Sequence, residues 1–220
     1  MAHDKMNDDQ TPFFDPAFRE KFDALVQWRR DVRRFKTDPV ESALVDQLVA
    51  QACLSPSVGN CQPWRFVMVE DPTLRAAVRD NFTRSNAEAL SAYVGDRAAL
   101  YARLKLAGLD AAPVQLAVFA DPETPYGHGL GRRSMPEMLA YSVVGAVQTL
   151  WLAARTQGLG VGWVSILDPD LMNAALDVPA SWRLIAYLCV GYPLEEHTDP
   201  ELERAGWQDR VDPAAFLFWR

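Results

Sequence analysis

The chain has 220 residues, of which 49% are hydrophobic and 23% are charged, and its formal net charge is -7. This length suits one domain of ordinary size, and the acidic balance argues against a general nucleic-acid binder. The three cysteines and three histidines lack metal-ligand spacing, which argues against a disulfide framework, a metal site and a Ser-His-Asp triad. Without an apolar leader or an uncharged apolar run of membrane-spanning length, we expect a reduced, cytoplasmic protein without membrane or nucleic-acid partners.

Hydrophobic periodicity and turn residues predict the elements in chain order. Residues 1–14 are expected to form a disordered tail. Helices are predicted over residues 15–28, 41–54, 72–81, 137–157 and 169–176. Strands are predicted over residues 64–70, 113–120, 158–166 and 182–191. This order indicates one α+β domain over residues 15–220, a sandwich whose mixed, mostly antiparallel sheet is flanked by helices.

Two segments do not fit this alternation. Residues 83–108 have a helical composition broken near Gly95, which predicts two short helices that form either a lid over a site or a plain helical hairpin. The tail over residues 192–220 is irregular but carries Trp207 and Trp219. An apolar tail of this kind must lie against something, and a partner subunit is one such surface.

Residues 29–35 place four arginines within six positions of an acidic chain. Guanidinium groups bind phosphate oxygens in a bidentate way and keep their charge, so the cluster suits a dianion. If the helix continued, Arg29 and Arg33 would share one face as i,i+4 partners. The alternative is a helix C-terminus whose cations complement the helix dipole and stay in water.

Two further stretches could contact a ligand. Residues 55–64 combine Pro, Ser, Gly and Asn, so this segment is either a simple loop or one whose backbone approaches a flat ligand. Gly158, Gly160 and Gly162 close a helix and open a strand, the reverse of a dinucleotide-binding motif. Their expected role is a helix cap followed by close backbone packing, although the strand could still present an amide or hydroxyl to a ring system.

The arginine cluster, the loop at 56–64 and the strand at 160–165 occur in one order that resembles the nitroreductase-like FMN flavoproteins. Within that superfamily the pattern is most similar to the 5,6-dimethylbenzimidazole synthase family, and the resemblance runs over residues 22–216. It implies a nitroreductase-like sandwich with a helical lid at 83–108. It also implies a homodimer with two FMN sites built from both chains, and an arm at 192–220 that embraces the partner subunit.

The resemblance also assigns site residues. The FMN phosphate and ribityl chain would be held by Arg29, Arg30, Arg33 and Arg210. The flavin ring would be lined by Pro56, Ser57, Val58 and Gly59 of one subunit and approached by Gly162, Trp163, Val164 and Ser165. Further cofactor contacts would come from Asp31, Val32, Gln62 and Pro113. Catalytic roles would fall to Asp31, Ser165 and Gly59, the last leaving space and an amide for dioxygen.

Synthases of this family consume reduced FMN and dioxygen and convert the ring system into 5,6-dimethylbenzimidazole, the lower ligand of vitamin B12. Asp31 stands where this family carries an acid. Among four arginines we expect Asp31 to stay ionised and to orient the ribityl chain or accept a proton from it. The alternatives are that Asp31 only organises its arginine neighbours and that the Ser165 hydroxyl is bonded to backbone.

Two positions depart from the synthase pattern and leave other functions open. Asn60 with Cys61 resembles ordinary nitroreductases, and Leu139 replaces a frequent Asp. The second hypothesis is therefore an NAD(P)H oxidoreductase acting on nitroaromatics, quinones or halogenated phenols, in which FMN survives. The third is a non-catalytic flavin-binding protein. If the chain is a synthase, the reduced flavin would come either from direct reduction by NAD(P)H or from a separate flavin reductase.

Overall fold

A computed structural model describes residues 11–104 and 108–220, apart from the side chain of residue 103. The sequence expectation for residues 1–10, and the part of the predicted lid at 105–107, lie outside the described residues. Residues 11–14 precede the first helix and are exposed. The described helices are α1 (Pro16–Trp28), α2 (Ser42–Ala52), α3 (Pro72–Ser91), α4 (Gly95–Arg103), α5 (Gly108–Ala111), α6 (Met138–Thr156), α7 (Pro169–Ala175) and α8 (Glu201–Arg204). The strands are β1 (Trp64–Met68), β2 (Val114–Ala120), β3 (Gly160–Val164) and β4 (Arg183–Gly191).

The four strands form one sheet in the order β1-β2-β4-β3, and every pairing between them is antiparallel. The mixed character that we predicted is limited to a single parallel bridge between Asp31 and Val161. The α+β prediction is confirmed, and it holds because helices cover both faces of this sheet.

Two hydrophobic clusters form the core, one on each face of the sheet. The first includes Leu116, Leu188 and Val161 with α2 and α6. The second includes Phe119, Tyr187 and Val164 with residues of α3, α5 and α7. Residues that alternate along a strand point to opposite faces, so each strand contributes to both clusters.

Aspartate followed by proline starts three of the helices. Asp15, Asp71 and Asp168 precede Pro16, Pro72 and Pro169, and each carboxylate accepts backbone N–H groups of the first turn at 2.6–3.4 Å. The first backbone N–H groups of a helix have no partner within the helix. The N-cap aspartate accepts such groups, and proline at the first helical position has no N–H, so both residues favour a helix that begins at this point.

The predicted end of α3 is wrong, because this helix continues from residue 81 to Ser91. The buried Asn81 ties the extension to α7, since its side chain donates to the carbonyl of Asp168 at 2.9 Å and accepts from the Asp168 amide at 2.8 Å. The predicted lid is thus the end of one long helix followed by α4, which begins at Gly95 after a short break.

Helix α6 is apolar on most faces, yet one stripe of it is exposed. Tyr141 and Val144 lie on this stripe, whereas Val143, Val147 and Leu150 are fully buried. Among the described helices, none combines the length and the apolar character needed to cross a membrane.

Candidate functional site

The arginine segment at residues 29–35 is extended. Helix α1 ends at Trp28, and Arg29 already has an extended backbone. The segment then runs beside β3, where the amide of Val32 donates to the carbonyl of Val161 at 3.0 Å. Arg29 and Arg33 therefore do not share one face of a helix, because the helix does not continue into this segment.

Glycines in β3 make this approach possible. A Cβ atom on Gly162 would lie 2.2 Å from the carbonyl oxygen of Val32, and one on Gly160 would lie 2.6 Å from a methyl carbon of Val32. A side chain at either position would displace the arginine segment. The expectation of close backbone packing agrees with this geometry, and Val32 occupies the space next to Gly162.

Only half of the arginine cluster is neutralised by carboxylates. Arg34 pairs with Glu195, and its Nη1 lies 3.4 Å from Glu201. The Nε atom of Arg33 lies 3.4 Å from Asp31 and 3.7 Å from Glu201. The sequence analysis did not identify Glu195 and Glu201, although the acidic composition of the tail was a signal that could have found them.

Arg29 and Arg30 have no such partner, since no carboxylate of the described residues lies within 4.0 Å of either. The guanidinium of Arg29 lies over the ring of Trp151 at 4.9 Å. The Nε of Arg30 donates to the carbonyl of Thr198 at 2.9 Å. Burial lowers the pKa of both arginines, and repulsion from Arg210 lowers them further. Three cations that repel one another, two of them without a carboxylate of the described residues within 4.0 Å, suit a phosphate group.

These arginines line a cleft of about 180 Å³. Its lining residues are Arg29, Arg30, Asp31, Arg33, Pro200, Glu201, Leu202 and Arg210. Arg210 is mostly exposed and lies 3.9 Å from Glu203. Arg29, Arg30, Arg33 and Arg210, which the resemblance assigns to the phosphate end of FMN, thus meet in one place.

Asp31 is the acid of this cleft, and each of its carboxylate oxygens has a different environment. Oδ1 accepts the amide of Trp163 at 2.9 Å, whereas Oδ2 faces Arg33 at 3.4 Å. Burial raises the pKa of Asp31, while the Trp163 amide and Arg33 oppose that rise. Of the four arginines, Arg33 is the one within 4.0 Å of this carboxylate among the described residues, and the expectation that Asp31 stays ionised remains a prediction.

Ser165 follows β3 directly and is exposed. No hydrogen bond of its hydroxyl is formed within the described part of the chain, so the alternative of a backbone-bonded strand hydroxyl does not hold. Trp163 is half-buried, and its ring lies 6.3 Å from that of Trp151, beside Arg29.

The loop before β1 is built tightly. Val58–Asn60 form a 3-10 turn in which Gly59 has a φ of 57°, and a Cβ atom there would lie 2.9 Å from the carbonyl oxygen of Leu130. The Ser57 hydroxyl accepts the amide of Gln62 at 3.0 Å, and Ser142 of α6 accepts the amide of Val58 at 3.1 Å. The backbone conformation itself therefore requires glycine at position 59.

Comparison with known proteins identifies the fold family. The model of the Nitroreductase family matches residues 26–192. The chain is 60% identical over 199 residues to a 5,6-dimethylbenzimidazole synthase of Rhodospirillum rubrum, covering 90% of this chain and 94% of the relative. It is 48% identical to a relative of the same name from Rhodobacter capsulatus, covering 90% of this chain and 96% of that one.

The chain belongs to the nitroreductase family. Among solved structures it is similar to an iodotyrosine deiodinase bound to FMN and 3-iodo-L-tyrosine, with 28% identity and a TM-score of 0.67. The match covers 79% of this chain and 90% of the deiodinase chain. Within the family, the relatives named 5,6-dimethylbenzimidazole synthase match nearly their whole length.

In this family member, the predicted site residues form two separate groups. The first group is the arginine cleft with β3, which contacts α6 at Trp151 through Arg29. The second is the loop at 56–62, which contacts α6 at Ser142. These two contacts lie nine positions apart, or about 13 Å along a helix that rises about 1.5 Å per residue. The residues of the loop at 56–62 are not among those that line the cleft of the same chain.

Pro113 is also outside the cleft. It lies at the start of β2, packs near Gly191, and its carbonyl accepts from Arg75 at 2.9 Å. None of these contacts involves the arginines that line the cleft.

The segment predicted as a lid contacts the tail beside the cleft. The ring of Tyr93 lies 5.0 Å from Tyr101 and 5.5 Å from Trp207. Arg97 lies over Trp207 at 5.1 Å and donates to its carbonyl at 3.0 Å. Trp207 stands three residues before Arg210. Helix α4 is thus joined to the same stretch that contributes Leu202 and Arg210 to the cleft, a connection that the sequence analysis did not predict.

Proposed function

We propose that the chain is an FMN-dependent oxidoreductase with 5,6-dimethylbenzimidazole synthase activity. The observation that carries this proposal is the 60% identity to the Rhodospirillum rubrum relative over 94% of its length. In this proposal FMN is both the bound cofactor and the substrate. Reduced FMN supplies the electrons that activate dioxygen and the ring atoms that become the product.

The cleft supports binding of the FMN phosphate. Arg29, Arg30 and Arg210 repel one another, and Arg29 and Arg30 lack nearby carboxylates, so a dianion would relieve an unfavourable charge arrangement. In our proposal these three residues hold the phosphate. Arg33 faces the ribityl chain from its position between Asp31 and Glu201.

Asp31 is proposed to accept a proton. Its Oδ1 accepts the Trp163 amide at 2.9 Å, whereas Oδ2 accepts only a longer hydrogen bond of 3.4 Å from Arg33, so Oδ2 is the oxygen proposed to accept the proton. Burial raises the pKa of this carboxylate, which makes it a stronger base than an exposed aspartate. The exposed Ser165 hydroxyl, just beyond β3, is proposed to donate a hydrogen bond to the same ligand.

A homodimer is proposed to complete the site. Since the loop at 56–62 does not line the cleft of its own chain, the partner subunit is proposed to supply that loop, with Gly59 leaving space for dioxygen. Apolar surface for such a dimer is abundant. Helix α1 has no buried residue, its Phe18 and Phe22 are each 47% exposed, and Trp219 in the tail is 83% exposed. Large apolar side chains that are exposed in such number are expected at an interaction site.

The remaining assignments follow from the same proposal. Residues 15–220 form one FMN-binding domain, residues 83–108 form its lid, and residues 192–220 form the arm that lies on the partner subunit. A cytoplasmic location is proposed because Cys53, Cys61 and Cys189 are all free thiols. NAD(P)H or a separate flavin reductase supplies the electrons.

The alternative is an NAD(P)H oxidoreductase in which FMN survives. The similarity to the deiodinase bound to FMN favours it, as does the pair Asn60-Cys61 in the loop. In that case the exposed Ser165 and the lid would shape a pocket for an aromatic substrate.

One experiment separates these functions. Purified protein is incubated with excess FMN, a reductant and air, and the products are followed by mass spectrometry. We expect loss of FMN with stoichiometric appearance of dimethylbenzimidazole. Asp31→Asn should still bind FMN and form no product. Intact FMN together with a reduced nitroaromatic would favour the alternative, and no turnover with any reductant would indicate a flavin-binding protein.

A further inference from the structure

One arginine in the cleft lies between two carboxylates. The Nε atom of Arg33 is 3.4 Å from Oδ2 of Asp31 and 3.7 Å from Oε2 of Glu201. The Nε–H donates to Oδ2 of Asp31, but this hydrogen bond of 3.4 Å is longer than the about 2.7–2.9 Å of a normal charge-assisted N–H···O contact. The side chain of Arg33 is 11% exposed and that of Asp31 is 37% exposed, so only the arginine side of this pair is well shielded from water. Arg33 therefore bonds Asp31 weakly while a second acid lies within 4.0 Å of the same nitrogen.

Glu201 is anchored on its other side. It is the first residue of α8, and its Oε1 lies 3.4 Å from Nη1 of Arg34. Arg34 in turn pairs with Glu195. Acids and arginines thus alternate from Asp31 through Arg33, Glu201 and Arg34 to Glu195. Glu201, whose side chain is 20% exposed, is the member of this series that lies within 4.0 Å of both Arg33 and Arg34.

Few groups face the Asp31 carboxylate. Arg29 and Arg33 approach it from its own segment, the amide of Trp163 from β3, Glu201 from α8, and the thiol of Cys189 from β4. The Trp163 amide bonds Oδ1, so the charges that act on Oδ2 are mainly those of Arg33 and Glu201.

We propose that Glu201 is a positioning residue that keeps Arg33 from closing further on Asp31, so that Oδ2 of Asp31 is only weakly hydrogen-bonded and can accept a proton. This inference rests on the proposed role of Asp31 in the synthase reaction. It assigns to the tail a function other than dimer contact, namely setting the strength of the base in the cleft.

The sign of the expected effect follows from the charges. In Glu201→Gln, one negative charge near Asp31 is lost and Arg33 can pair with Asp31 more closely. Both changes favour the ionised form, so the pKa of Asp31 should fall. An enzyme that needs ionised Asp31 should then keep its activity to lower pH. Its plateau rate should also decrease several-fold, because the carboxylate is a weaker base.

The first measurement does not depend on activity. Protein carrying ¹³C-labelled aspartate carboxyl groups is titrated by NMR without FMN, and the signal that disappears in Asp31→Asn is assigned to Asp31. We expect its midpoint to lie at lower pH in Glu201→Gln than in the wild type. Glu195→Gln is the matched control, since it removes a carboxylate that pairs with Arg34 and not with Arg33, and it should leave the midpoint unchanged.

The second measurement is the pH profile of dimethylbenzimidazole formation. Its acid limb should move to lower pH in Glu201→Gln, return towards the wild-type position in Glu201→Asp, and stay in place in Glu195→Gln. An unchanged Asp31 midpoint in Glu201→Gln would overturn the inference, and so would an equal shift in Glu195→Gln. If the wild type forms no dimethylbenzimidazole, the proposed function fails, while the NMR titration still decides whether Glu201 sets the pKa of Asp31.

Discussion

At the scale of single residues, the arginines of the cluster differ in their partners although they are chemically identical. Arg34 is neutralised by Glu195 and Glu201, whereas Arg30 is held by the carbonyl of Thr198 alone. A carbonyl orients a guanidinium without neutralising it. In our proposal, the phosphate of FMN therefore meets the charges of Arg29 and Arg30 together with that of Arg210.

This difference gives a test of phosphate binding. Arg30→Ala should weaken FMN binding by about 10- to 100-fold, because a hydrogen bond to a charged group contributes about 1.5–3 kcal/mol. Its affinity for riboflavin, which lacks the phosphate, should change little. Flavin fluorescence quenching measures both affinities. Arg34→Ala is the control and should reduce the affinity for FMN less than Arg30→Ala does. An equal loss of FMN and riboflavin binding in Arg30→Ala would contradict the phosphate assignment.

At the scale of elements, the described contacts of α4 with the tail are concentrated on one residue. Trp207 contacts Tyr93 and Tyr101 through their rings and Arg97 through both its ring and its carbonyl. Because Trp207 lies close in sequence to Leu202 and Arg210, the position of α4 is coupled to two residues that line the cleft.

Trp207→Ala should release this helix. Each aromatic or cation–π contact contributes about 0.5–1.5 kcal/mol, so we expect bound FMN to dissociate at least about 10-fold faster. Stopped-flow recovery of flavin fluorescence measures this rate, and limited proteolysis around residues 92–104 reports the exposure of α4. Trp207→Phe keeps an aromatic ring and should stay near the wild type. Unchanged dissociation in Trp207→Ala would show that α4 does not retain the cofactor.

At the scale of the whole molecule, the two groups of site residues lie at different places on one chain. The cleft and the loop at 56–62 contact α6 at residues that are nine positions apart, Trp151 and Ser142. A two-fold axis can place the loop of one copy at the cleft of the other, because the same surface then serves both subunits.

Mixed dimers test this arrangement. Arg29→Ala disables the cleft and Pro56→Trp fills the loop with a bulky side chain, so each variant alone should be inactive. After random exchange of subunits at equal amounts, half of the dimers contain both variants, and each of these has one intact site. About a quarter of wild-type activity should therefore return, as expected for a two-fold dimer with shared sites. Light scattering confirms that both variants are dimers. No recovery in mixed dimers would place each site within one chain.

The sequence predicted the strands and most helices because their periodicity is local, and the structure shows that Asp-Pro pairs cap the starts of α1, α3 and α7. It missed the length of α3, since the bonds between Asn81 and Asp168 that hold its extension join positions far apart in the chain. For the site, the arginines stood out as a cluster, and the family resemblance assigned Asp31 and Gly59. The partners of the arginines did not stand out, because Glu195, Glu201 and Thr198 reach the cluster only after the sheet has formed.

The sequence alone therefore determined the fold class, the family and the arginine cluster. Composition, spacing and motif order are properties of the chain itself. Tertiary structure decided which arginines remain available to an anion, which oxygen of Asp31 is already bonded, and how far the loop lies from the cleft. These depend on distances between atoms remote in sequence, and electrostatic interactions change with each ångström of those distances.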